Sequence, residues 1–117
     1  MRTLCLAVFA LVFSVAHAHA ASSDVAPMWA QVERSEASIR TAQAEAQRHI
    51  DSDDAAFAIR SLETLSEAAR RQMTVLDELI VVEQDLDRQT EALLRQGRAR
   101  HHLERALETI ALLRTGR

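Results

Sequence analysis

The sequence predicts an all-α protein of three helices: antiparallel helical hairpins, or a coiled coil, built on one long central helix. Residues 53–96 hold neither Gly nor Pro. Within them Ala55, Ala58, Leu62, Leu65, Ala69, Gln72, Leu76, Leu79, Glu83, Leu86, Thr90 and Leu93 follow at alternating spacings of three and four, apolar at all but Gln72, Glu83 and Thr90. Only two Gly and one Pro occur in the 117 residues, so few positions interrupt a helix. The spacing lines one helical face, and its sustained seven-residue period predicts a seam with a slight left-handed supercoil. Unbroken, residues 53–96 make a helix roughly 66 Å long at about 1.5 Å per residue.

The chain begins Met1-Arg2-Thr3 and continues into the apolar run Leu4–Ala16. That run falls short of the ~20 residues a bilayer-spanning helix needs. A basic start, a short apolar region and the small residues of Ala16-His17-Ala18 and Ala18-His19-Ala20 together predict a secretory signal peptide over residues 1–20. Cleavage after Ala20 leaves one domain, residues 21–117. The single cysteine, Cys5, lies within the apolar run, so the expected mature chain has neither disulfides nor thiol chemistry. All 14 basic residues are Arg, which points to a GC-rich bacterial source and a periplasmic or secreted destination.

Helix 1 is expected over about 27–50, with Pro27 in its first turn and Trp29, Val32, Ile39, Ala42, Ala46 and Ile50 inward. Asp51-Ser52-Asp53-Asp54 then supplies capping oxygens. The same cluster fails as a calcium loop, because Ala55 and Ala56 replace a ligand and the turn glycine, and Leu62 replaces the closing Glu. Helix 2 is expected over 53–96, stopped by Gly97. Helix 3 follows over 98–114 with Ala99, Leu103, Ala106, Ile110 and Leu113 inward. Tight connections fold each shorter helix back along the long one. Ile59, Met73, Val75, Ile80, Val82 and Leu94 broaden the apolar face of helix 2 beyond a two-helix seam. Either helix 2 bends into a compact bundle or two rods pair, and the unbroken register favours pairing.

Function is less legible. A net charge of −3 with no Lys and no Tyr gives neither a basic surface nor a stacking platform for nucleic acid. Nucleophile elbows and phosphate-cradling glycine loops are absent from the sequence, so no enzyme is expected, and no cofactor. His101 and His102, with Glu104 and Glu108 nearby, invite a metal reading, but neither His holds a seam position and no metal is expected there. Arg95, Arg98, Arg100, Arg105, Arg114 and Arg117 form a basic C-terminal segment. Folding about Gly97 would pair it with the acidic stretch 77–91, setting Arg105 beside Glu91, Glu108 beside Arg88 and Arg114 beside Glu83; binding to an anionic envelope lipid is the weaker use of those Arg residues.

The reading that follows is an exported helical interaction or scaffold protein, self-associating through Val75, Leu79, Ile80 and Val82 of the central helix. Its partner is a second copy or another envelope protein, without nucleic acid and without stable membrane insertion after cleavage. The alternative is a small ligand- or metal-binding bundle in the periplasm. Intact-mass measurement of the protein from its native host is expected to place the N-terminus at Ala21, or secondarily at His19. Met1 retained in a membrane fraction would overturn the signal-peptide reading.

Overall fold

A computed structural model describes the backbone of residues 2–116 and the side chains of residues 25–116. Its three helices are α1 (Arg2–Asp51), α2 (Ala55–Val82) and α3 (Leu86–Arg114), and no strand occurs among the described residues. The all-α class and the three-helix count are as the sequence predicts. The second turn is not. Residues 83–85 interrupt the expected 53–96 helix, and α3 runs straight through Gly97. α2 and α3 span 28 and 29 residues, and packed α1 side chains extend from Val25, so the chain runs up, down and up. Both α1 and α3 pack on α2, whereas among the described residues no Cα of α1 lies within 8 Å of α3. Two neighbours account for the breadth of α2's apolar face.

The first turn is a compact helix stop. Asp54 N–H donates to His49 O at 2.8 Å and Asp53 N–H to Ile50 O at 3.0 Å, the paired bonds that close a helix when the residue after its cap turns left-handed. Asp53 takes that conformation at φ 57°, where Gly is more usual. Asp54 then starts α2 by accepting from Phe57 N–H. His49 stacks on Phe57 across the turn, with ring centroids 5.4 Å apart. Pro27 stands inside α1 rather than in its first turn. The signal-peptide reading falls on residues whose side chains lie outside those described. Among the described residues no helix is long and apolar enough to cross a membrane.

The second turn is built by acids. Glu83 N–H closes α2 on Leu79 O at 2.8 Å, and Glu83 Oε1 accepts from Asp85 N–H. Asp85 caps α3 by accepting from Asp87 N–H at 3.0 Å, and Asp87 adds negative charge to the first turn. Gln89 of α3 donates to Ile80 O at 2.6 Å, satisfying a carbonyl in the last turn of α2. After the turn the inward face moves by one residue. Leu86 and Leu93 turn outward, and Ala92, Ala99, Ala106 and Ile110 are buried instead. The register of residues 99–113 thus extends upstream past Gly97 to Ala92 and Gln89.

The core lies in two clusters along α2. One joins Ile39, Ala42 and Ala46 of α1 to Leu62, Leu65 and Ala69 of α2 and Ala106 and Ile110 of α3. The other joins Val25 and Val32 to Leu76, Leu79 and Ala92. Val25, Val32, Ile39 and Ala46 recur every seven residues, as do Ala92, Ala99 and Ala106, so the seams follow heptads with many small side chains.

Gly97 tests the corrected boundary. A Cβ built there meets nothing within 4 Å, and its φ is not positive. Gly97→Ala is therefore expected to stabilise the chain by about 0.5–1 kcal/mol in urea unfolding, the helix-interior difference between the two residues. A loss of stability would restore Gly97 as a helix stop.

Candidate functional site

A polar layer separates the two apolar clusters. Gln72 of α2, 2% exposed, donates from Nε2 to Glu36 Oε1 of α1 at 3.0 Å. Arg95 of α3 donates to the same Glu36 oxygen at 3.2 Å, to Glu33 at 2.6 Å and to Glu91 at 2.9 Å. Its guanidinium lies 5.5 Å from the Trp29 ring centroid, within cation–π range. Trp29 Nε1 in turn donates to Glu83 Oε2 at 2.8 Å. The polar residues at inner positions, Glu36, Gln72 and Glu83, are thus all hydrogen-bonded, and the three helices are tied through Arg95 and Trp29.

Burial opposes the Arg95 charge, but hydrogen bonds to Glu91 and Glu33 and the nearby Glu36 outweigh it and hold the guanidinium firmly protonated. The hydrogen bond from Arg95 leads the causes that lower the Glu91 carboxyl below 4.5, partly offset by burial and helped by the charges of Arg95 and Arg98. His102 is pushed below its usual value, first by burial and then by His101 and Arg98, with Glu36 opposing.

Beside this layer the gap between α1 and α3 opens into a cleft floored by α2. A recess of about 190 Å³ lies against Glu36, Arg40, Gln72, Arg98 and His102. A second of about 310 Å³ continues from it through Gln43 and His102 to Leu62, Leu65 and Arg105. The cleft's floor combines Gln72 with the nearly buried Leu62 and Leu65, and its walls carry Arg40, Arg98 and Arg105. Arg40 and Arg105 make no ion pair among the described residues.

The residues expected to form a partner surface do not lie on one surface. Leu79 is fully buried against the second cluster, because its seam position faces the core, and this removes it from any docking patch. Val75 and Ile80 pack half-buried on that cluster, leaving Val82 exposed. Exposed instead are Val81, to which the spacing assigns no face, Leu86 and Leu93, expected in the seam, and Leu94, expected to flank it. Continuing the 99–113 register upstream would have found Leu86 and Leu93 outside the seam.

His101 and His102 have ring centroids 6.4 Å apart and tilted, and among the described residues no group of three or more His, Cys, Asp or Glu could hold a metal ion. The expected ion pairs change with the turn: Arg98 meets Glu91 at 3.3 Å, and Arg114 meets Glu63 at 2.9 Å rather than Glu83. Arg117 lies outside the described residues. Comparison with protein-family models, with curated proteins and with solved structures finds no match.

The polar layer is tested by Arg95→Met, which keeps the aliphatic stem but leaves Glu33 without its partner and Glu36 and Glu91 with only Gln72 and Arg98. The expected loss is about 1–3 kcal/mol, less than for a sealed ion pair because solvent reaches Arg95. The Glu91 carboxyl, followed by NMR, should titrate nearer 4.5 in the variant than in the wild type. Because its folded value is lowered, the Glu91 contribution to stability is complete above 4.5 and is lost as pH falls through the folded value. An unchanged Glu91 titration in Arg95→Met would remove Arg95 as its cause.

Proposed function

We propose that this chain is an exported helical interaction module that docks a partner through the apolar side chains at the α2–α3 bend. The signal-peptide pattern of residues 1–20 supports export to the periplasm or beyond. One observation carries the docking: Val81 and Leu86, 81% and 73% exposed, flank a turn fixed by Glu83, Asp85 and Gln89. Val82 and Leu93 add apolar surface beside them. A turn held by this many hydrogen bonds presents these side chains without first having to be ordered, which lowers the entropic cost of association. Each side chain of this size contributes about 1.5–3 kcal/mol when buried in a partner, so a few support micromolar binding. The partner is a second copy or another protein of the cell envelope.

Sedimentation equilibrium of the isolated protein tests self-association. The wild type is expected to dimerise in the micromolar range and Leu86→Asp to weaken the dimer at least tenfold, because a charge must then enter the interface. Leu112→Asp, near the far end of α3, should leave it unchanged. Equal weakening by both substitutions would show that exposed apolar surface in general, and not the bend, drives association.

A further inference from the structure

We propose that the cleft between α1 and α3 is a binding site for a phosphoryl oxyanion, carried free or on a small organic molecule. The site is separate from the α2–α3 bend and does not depend on docking there. Its walls are two helices that run in the same direction, and the Glu36–Arg95 contact at 3.2 Å sets their register. One turn further on, Arg40 of α1 comes level with Arg98 and Ala99 of α3, and a second turn brings Gln43 level with His102. Gln43 and His102 line both recesses, and Gln47 and Arg105 follow in the larger one.

The cleft gathers positive charge that the rest of the molecule does not use. Across its two recesses the titratable side chains are four Arg and two His against one Glu, in a chain whose net charge is −3. That Glu is committed, since one Glu36 oxygen accepts from both Gln72 and Arg95. Arg95 is committed as well, to Glu33, Glu36 and Glu91. Arg40 and Arg105 make no ion pair among the described residues. Arg98 reaches Glu91 at 3.3 Å with a side chain that is 65% exposed, and such a pair contributes little against a better partner. Three guanidiniums are thus available, Arg40 from one wall and Arg98 and Arg105 from the other. His102 senses the same excess: burial, then the charges of His101 and Arg98, hold its pKa down against Glu36.

The shape of the site selects the ligand. Donors that converge from opposite walls suit a tetrahedral dianion, whereas a carboxylate presents one edge to one guanidinium fork. The floor offers little to an apolar chain, because Gln72 lies in it and Leu62 and Leu65 are nearly buried. The recess of about 190 Å³ accommodates a phosphoryl group beside Arg40 and Arg98. The adjoining 310 Å³ lies at the lower end of the roughly 300–1,000 Å³ of small-molecule sites and leaves room for a small polar remainder.

Calorimetric titration of the protein with inorganic phosphate, glycerol 3-phosphate and acetate, at matched ionic strength, tests the site. Phosphate is expected to bind at least tenfold more tightly than acetate. Arg40→Gln with Arg105→Gln is expected to weaken phosphate binding at least tenfold. Arg70→Gln with Arg100→Gln, which removes the same charge from exposed positions outside the recesses, should leave it unchanged. Phosphate should also raise the titration midpoint of His102, followed by NMR, because a nearby dianion favours the imidazolium. The charged and titratable groups around that ring are Glu36 and Arg40 from α1 and Arg95, Arg98, His101 and Arg105 from α3, while α2 contributes the uncharged Gln72. Tighter binding of glycerol 3-phosphate than of phosphate assigns the site to a small ester, and equal or weaker binding assigns it to the free ion. The proposal is overturned if phosphate does not bind, if acetate binds as tightly, or if both pairs of substitutions weaken binding equally. A His102 midpoint that phosphate leaves in place overturns it without recourse to any variant.

Discussion

The hydrogen bonds from Gln72 and Arg95 to Glu36 set the alignment on which the rest of the structure depends. The apolar contacts alone do not specify it well. Val25, Val32, Ile39 and Ala46 repeat every seven residues on α1, and Ala92, Ala99 and Ala106 do so on α3. A slide by one heptad would put similar side chains into similar gaps, a degeneracy that a single buried polar position can break. Here such a slide would leave the Gln72 amide, buried at mid-helix, without a partner and Arg95 away from Glu33 and Glu36. Polar groups satisfied only in one alignment thus provide a uniqueness that alanine seams lack.

The turn chemistry acts with that layer. Glu83 closes the turn to α3 and also accepts from Trp29, so the end of α2 is fastened to α1 where α3 begins. Arg95 lies over the face of the same indole. One aromatic side chain therefore couples the position of the bend to the alignment of α1 with α3. The exposed Val81 and Leu86 are held out by a turn whose polar groups are already committed.

The α1–α2 hairpin could be read from the sequence because its signals agree. The seam of α2 is buried from Ala58 through Leu79 as its spacing predicts, though Ala55 is exposed, and Asp54 caps α2. Residues 83–97 carry two competing registers. One places Leu86 and Leu93 inward and gains hydrophobicity; the other places Gln89, Ala92 and Gln96 inward and continues the phase of α3. The second prevails because Asp85 and Asp87 start a helix, Gln89 satisfies Ile80 O, and Gln96 reaches Asp77. Gly97 does not stop the helix, since one glycine in a helix interior costs only about 1 kcal/mol. The cleft could not be read at all, because it exists only where α1 and α3 fail to meet.

The open gap between α1 and α3 has a consequence for how the chain acquires its shape. Among the described residues close backbone contacts join only helices that are adjacent in sequence, so two hairpins sharing α2 supply nearly all of the packing. Mean sequence separation of contacts is then low, which places such a chain among rapidly folding topologies. Each hairpin closes a short loop at small entropic cost, whereas the Glu33–Arg95 and Glu36–Arg95 links close far longer ones. Loop-closure entropy thus favours contacts near the turns over the Glu33–Arg95 and Glu36–Arg95 links. A chain made progressively from its N-terminus meets its packing partners in the order in which it needs them.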